Sequence, residues 1–288
     1  MMTVENINHD FGSILIIVPH QDDEILMTAG IINTAIEKQI PIHVVMVTNG
    51  DYGCTDFTIG RKRLEETVQG TNMLGLKSNQ LTILGYADTG MPIEDSFLMH
   101  LYEEKDADKI YQSFCTHETY GLEGKYEYHM QKTGKHAPYS RTSVKNDLKD
   151  IIETVRPRNI FTTSEFDVHG DHAALYKFIV EILGELKDTS DYEVNLYTGI
   201  VHSNAGDEVW PRRDTKRYDC PDNFEIATSL KWEERISFPV PECMVSERLD
   251  DNLKYQSLIC YETALEPNAY EFLMAFIKEE EIFWKLRY

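Results

Sequence analysis

Two short stretches carry most of the side chains able to do chemistry. VPHQDDE, Val18 to Glu24, sets His20, Asp22, Asp23 and Glu24 directly after the apolar run Ser13 to Ile17. EFDVHGDH, Glu165 to His172, follows NIFTT, Asn159 to Thr163, and adds Asp167, His169, Asp171 and His172. Imidazole mixed with carboxylate is the donor set of catalytic zinc sites, where three protein ligands leave one position for water. A histidine from each stretch plus one carboxylate makes such a set. Asp ahead of a helix is also a good N-cap, so Asp22, Asp23 and Asp171 have a purely structural reading as well.

The elements around these stretches decide whether they can meet. Ser13 to Pro19 is short, apolar and rich in β-branched residues, as a strand buried on both faces should be. Ile25, Leu26, Ala29, Ile32, Ala35 and Ile36 then recur at helical spacing. Pro41 to Thr48 reads as a second strand, stopped by Asn49-Gly50, and Leu81 to Leu84 as a third, with a polar helix from Thr58 to Leu74 between them, closed by Gly75. Regularity weakens from Met91 to Tyr139, the pattern of a long central loop or lid. It returns with a helix over Ser143 to Val155 and a fourth strand over Asn159 to Thr163. A helix with one apolar face (Leu175, Phe178, Ile179, Ile182, Leu183, Leu186) follows, then a fifth strand over Asn195 to His202. Residues 203–243 are irregular, and Val245 to Tyr288 reads as two helices.

Alternating buried strands and helices predict an α/β fold, a Rossmann-like, mostly parallel sheet flanked by helices. Residues 1–288 read as a single domain, with a core over about 13–202 and 203–288 as a C-terminal extension packed on it. In such sheets ligands bind outside the carboxyl ends of the strands. Both reactive stretches lie at such ends, each ahead of a helix.

Composition narrows the function. A formal net charge of −21 disfavours nucleic acid as a partner, and the longest basic cluster is only Arg61-Lys62-Arg63. The five cysteines (Cys54, Cys115, Cys220, Cys243, Cys260) lack CxxC spacing, which predicts free thiols in a reducing compartment. No apolar run approaches a membrane span, and the opening MMTVENINHDFGS has no signal-peptide pattern, so the expected location is cytoplasmic.

VPHQDDE with a downstream HGDH resembles the zinc-dependent N-deacetylases of the PIG-L/LmbE type, whose signatures are HPDDE and HxDH. VVMVTNGD (Val44 to Asp51), LGYADTG (Leu84 to Gly90) and VRPRNIFTT (Val155 to Thr163) are similar to the family in the same order, as is KYQSLICYET (Lys254 to Thr263) more loosely. The resemblance implies an LmbE-like fold and removal of an N-acetyl group from a GlcNAc-type amino sugar or its conjugate. It implies Zn2+, or another divalent metal, held by His20, Asp23 and His172. Asp22 would be the general base that takes a proton from metal-bound water and later gives it to the leaving amine, His169 an imidazolium stabilising the oxyanion, and Asp171 the residue that orients and charges it. Arg63 and Asp88 would reach sugar hydroxyls.

The residues themselves add Asn49 and His202, at the ends of the second and fifth strands, as candidate substrate contacts. Arg63 has an alternative reading as an i,i+3 partner of Glu66. Segment 104–142 is expected to carry leaving-side specificity. Two positions depart from the family: Gln21 stands where proline is usual, and Asp167 where some members have tyrosine. Tyr120 or Tyr139 are candidates to supply the missing phenol. A metallophosphoesterase lacks its further ligand motifs here, and a dinucleotide-binding protein lacks GxGxxG after the first strand. A differently acting amidase or esterase, or a sugar-binding protein without turnover, fits the same scaffold. The chain is expected to meet a small amino-sugar substrate; monomer and homo-oligomer both fit.

Overall fold

The computed structural model describes residues 3–88, 90, 92–265 and 269–288. Among the described residues eight strands form one sheet: β1 (Thr3–Val4), β2 (Ile14–Val18), β3 (Ile42–Thr48), β4 (Leu81–Tyr86), β5 (Asn159–Thr163), β6 (Asn195–Gly199), β7 (Ile236–Pro239) and β8 (Glu280–Arg287). Their order is β1-β7-β8-β6-β5-β2-β3-β4. All pairings are parallel except the two made by β8, which runs antiparallel to β6 and β7.

Among the described residues eight α-helices accompany it: α1 (Asp23–Glu37), α2 (Thr58–Met73), α3 (Phe97–Glu103), α4 (Tyr128–Thr133), α5 (Arg141–Val155), α6 (Gly170–Thr189), α7 (Leu253–Leu258) and α8 (Tyr270–Met274). Successive side chains of a strand point to opposite faces, and β2 shows the consequence. Ile14, Ile16 and Val18 join a core with α1 residues Ile25, Leu26 and Ile32, while Leu15 and Ile17 join a second core with α5 and α6 residues such as Leu148, Phe178 and Ile182. Burial on both faces explains the unbroken apolar runs of the central strands.

The tail contains two short helices, α7 and α8, and beyond them a strand that the sequence reading did not foresee. β8 wedges between β6 and β7, so residues 203–288 supply two of the eight strands. The central segment carries α3 and α4 within irregular chain, and Phe97, Leu98, Leu101, Ala137 and Tyr139 are buried in the second core. Thr89, within the LGYADTG stretch, and Met91 lie outside the described residues.

The order places β2 between β5 and β3. The chain leaves β2 on one side for β3 and later returns on the other side as β5, so β2 and β5 flank a topological switch point, where open α/β sheets form their ligand crevice. Among the described residues no helix is long and apolar enough to cross a membrane.

Candidate metal centre and cleft

The loop after β2 and the first turn of α1 deliver His20, Asp22 and Asp23, and the loop after β5 and the first turn of α6 deliver His169, Asp171 and His172. Three of their atoms converge. His20 Nδ1 lies 3.0 Å from His172 Nε2, His172 Nε2 3.3 Å from Asp23 Oδ2, and Asp23 Oδ2 3.6 Å from His20 Nδ1. Tetrahedral zinc with bonds of about 2.0–2.3 Å holds neighbouring donors about 3.3–3.7 Å apart, which the 3.3 and 3.6 Å sides match and the 3.0 Å side falls just short of.

The electrostatics match a cation site. Burial works against a charge on His20, yet Asp88, Asp171 and Asp23 outweigh it and hold the imidazole well above its usual range. Burial likewise opposes a charge on His172, but Asp167 and Asp23 carry it up to about 10. Asp23 is held well below the carboxylate range, against burial, by His172 and His20. The surrounding carboxylates thus favour positive charge at this point, which a bound divalent ion would supply.

Asp22 stands beside the triangle at φ 108°, ψ −30°, a backbone conformation rare for any residue with a side chain. Its carboxylate makes no cap to α1, which removes the purely structural reading. Its N–H donates to Glu24 Oε2 at 3.1 Å, and Glu24 Oε1 accepts the buried Tyr261 hydroxyl at 2.5 Å. Tyr261 from the tail therefore braces the conformation of Asp22 through Glu24. Burial, and then the charge of Asp23, push the Asp22 carboxyl up to about 7, while Arg63, His20 and His202 pull it down.

The second stretch departs from expectation in one respect. Asp171 does not face the His169 ring: its Oδ1 accepts Ser96 Oγ at 2.5 Å and Leu98 N at 3.0 Å, capping α3, while Oδ2 lies 3.2 Å from His20 Nε2. His169 instead caps α6, its Nδ1 accepting the Asp171 N–H at 3.3 Å. Burial, then the neighbouring imidazoles His20, His172 and His202, hold His169 far below its usual range. Asp167, at the departing position, has a structural task. Oδ2 accepts the N–H groups of Val201 and His202 at 2.8 and 3.1 Å and pairs with His172 Nδ1 at 3.0 Å, binding the β5 loop to the end of β6.

A cleft of about 370 Å³ opens over the cluster, lined by His20, Asp22, Asp23, Arg63, Asp88, His169 and His202 on its polar side. Arg63 does not pair with Glu66. Its Nη1 lies 3.5 Å from Asp88 Oδ2, and its Nη2 donates to the Gln21 carbonyl at 3.4 Å. Asp88 Oδ1 also reaches His20 Nε2 at 3.0 Å. Gln21 is buried and donates to the Thr48 carbonyl at 2.7 Å, joining the first stretch to the end of β3. Asn49 is not a cleft residue: it is fully buried and donates to the Gly85 carbonyl at 3.1 Å.

No residue of 104–142 lines the cleft either. Tyr139 is buried in the core, and Tyr120 packs on Phe57 and Gly60. The phenol at the cleft is Tyr52, and the apolar wall comes largely from the tail, through Ala264, Phe272 and Leu273. KYQSLICYET was the sequence signal that the tail participates. Nothing local marks Tyr52 or Phe272.

An open sheet with imidazoles and carboxylates gathered at its switch point defines a class of α/β enzyme-like scaffold whose chemistry sits between β2 and β5. The chain belongs to the PIG-L family, described as GlcNAc-PI de-N-acetylase, whose model matches residues 15–183. Its fold is also that of solved deacetylases. N,N'-diacetylchitobiose deacetylase from Pyrococcus horikoshii is 16% identical, with a TM-score of 0.51 over 95% of this chain and 83% of that one. A deacetylase of teicoplanin biosynthesis is 15% identical, with a TM-score of 0.54 over 96% and 98%. The A40926 pseudoaglycone deacetylase is 14% identical, with a TM-score of 0.51 over 97% and 99%. A search of curated proteins finds no match.

Proposed function

We propose that the protein is a metal-dependent hydrolase that removes the acetyl group from the nitrogen of a GlcNAc-type amino sugar or a conjugate of one. The observation that carries this reading is the triangle of His20 Nδ1, Asp23 Oδ2 and His172 Nε2, with sides of 3.0 to 3.6 Å. The donor set fits Zn2+, with another divalent ion as the alternative. An ion held there supplies Lewis acidity, lowering the pKa of water and polarising a carbonyl.

The chain's own residues do the rest. Asp22, beside the donors in the cleft, takes a proton from attacking water. Arg63 and Asp88 meet sugar hydroxyls on the polar wall, and Phe272 and Leu273 cover the opposite side. We take residues 1–288 as one domain and the cytoplasm as its place of work.

Metal content and acetate release from a panel of N-acetylglucosamine derivatives, with and without chelator, test the proposal. Near-stoichiometric zinc with chelator-sensitive acetate release supports it. A protein that stays metal-free when zinc is supplied sinks it.

A further inference from the structure

His202 is held more firmly than a histidine at a cleft edge needs to be. Its Nδ1 lies 3.0 and 3.1 Å from the two carboxylate oxygens of Asp207. Its ring stacks on Phe272, with centroids 5.1 Å apart and planes 12° from parallel. Its backbone N–H is fixed by Asp167 at 3.1 Å. The carboxylate sets the rotation of the ring, the phenyl its plane and Asp167 its root. With Nδ1 engaged, Nε2 is the ring nitrogen that has no protein partner among the described residues, on a side chain that lines the cleft. An imidazole whose Nδ1–H is held by a carboxylate presents Nε2 as a proton-transfer group.

The other imidazole at the rim is built differently. His169 has its Nδ1 taken by the Asp171 N–H, and no carboxylate lies within ion-pair distance of it among the described residues. Its neighbours are imidazoles, with His20, His172 and His202 ring centroids at 4.4, 4.7 and 5.8 Å.

We infer that His202, held by Asp207, is the general acid that protonates the departing amine. The inference rests on the deacetylation reading above. Water adds its hydroxyl to the amide carbon and gives its proton to Asp22. The C–N bond then breaks, and the nitrogen leaves with the electron pair and takes a proton from His202. The Asp22 proton returns to His202 through solvent, so amide and water become carboxylic acid and amine. Asp207 acts through His202 and is a positioning residue.

The test uses the zinc-loaded full chain and N-acetylglucosamine as the probe amide. For His202→Ala, kcat should fall by about 10²–10³ with KM little changed. Zinc content should equal that of wild type, and added imidazole should restore at least about tenfold of the loss. His202→Gln, which preserves side-chain volume, should show the same fall in kcat if the smaller variant folds poorly. Asp207→Asn should lower kcat by about tenfold, again without a matching change in KM. Turnover within about threefold of wild type in both His202 variants, or a deficit that imidazole leaves untouched, would overturn the acid role. Wild-type protein that releases no acetate from N-acetylglucosamine or from any derivative in the panel would instead sink the deacetylase reading, and the acid role with it.

Discussion

Lys254 and Glu281 grip α1 at the two ends of one helical turn. Lys254 Nζ donates to the Leu26 carbonyl at 2.7 Å, and Glu281 Oε1 accepts the Gly30 N–H at 2.8 Å, the two groups that a regular α-helix pairs with each other. The two side chains lie 3.4 Å apart and are almost wholly buried. Glu281 Oε2 also accepts the Ile31 N–H at 3.1 Å. Gly30 permits the approach, because a Cβ there would meet Val240 at 2.9 Å and Glu281 at 3.2 Å. The pair locks α7 and β8 to the helix whose first turn carries Asp23, and Leu26 itself lines the cleft.

Breaking this pair from one side leaves a buried carboxylate without its cation. Lys254→Met is expected to cost about 3–5 kcal/mol in urea unfolding. The double variant Lys254→Met/Glu281→Leu should recover more than half of that loss, because it removes the unpaired buried carboxylate as well. A double variant no more stable than the single one would mean that the unpaired carboxylate is not the source of the loss.

Asp22→Asn separates chemistry from architecture. Asn tolerates positive φ nearly as well as Asp, so the turn at φ 108° should survive. The donors on His20, Asp23 and His172 are untouched. Zinc measured by atomic absorption should stay near wild type while kcat falls by about 10²–10⁴. Full activity would remove Asp22 as the base.

How far these groups could be read from sequence depends on how local their tasks are. That the two stretches meet was legible because each lies at a strand end followed by a helix start, while the choice of His20, Asp23 and His172 as donors and Asp22 as base rested on the family resemblance. The tasks of Asp171 and Asn49 were not, because their partners, Ser96 with Leu98 and the Gly85 carbonyl, lie 36 to 75 positions away. The strand β8 was hidden for a related reason. EEIFWKLR begins and ends with charge, like a solvated helix, yet Glu280 is buried against Ser237 Oγ at 2.5 Å and Glu281 against α1. Only the folded tail supplies those partners.

Glycines in helices offer a test of sign. Gly→Ala inside a helix usually stabilises by about 0.5–1 kcal/mol. Gly184 in α6 has open space where a Cβ would go, so Gly184→Ala should raise the urea midpoint. Gly70 in α2 faces the Tyr261 ring, which a Cβ would meet at 2.3 Å, and that ring is anchored by its bond to Glu24. Gly70→Ala should therefore destabilise by about 1–3 kcal/mol. It should also lower kcat, since Tyr261 and Glu24 brace Asp22. Equal gains at both sites would contradict the packing described.

Lys278 should give the stability curve a slope in alkali. Its Nζ donates to the carbonyls of Arg212 and Thr215 at 2.5 and 2.6 Å, and burial pushes its pKa down to about 8 from an ordinary value of 10.5. Below about 8 both folded and unfolded chains hold this proton. Between about 8 and 10.5 the folded chain has released it while the unfolded chain keeps it, so the unfolded state binds more protons and this group's contribution to stability rises with pH. Lys278→Met removes that contribution and leaves the two carbonyls without their donor. The variant should be less stable than wild type at pH 7.5, with a gap in urea midpoints that widens by pH 10. A gap that narrows over that window would show that the folded protein holds the Lys278 proton more tightly than the unfolded chain does.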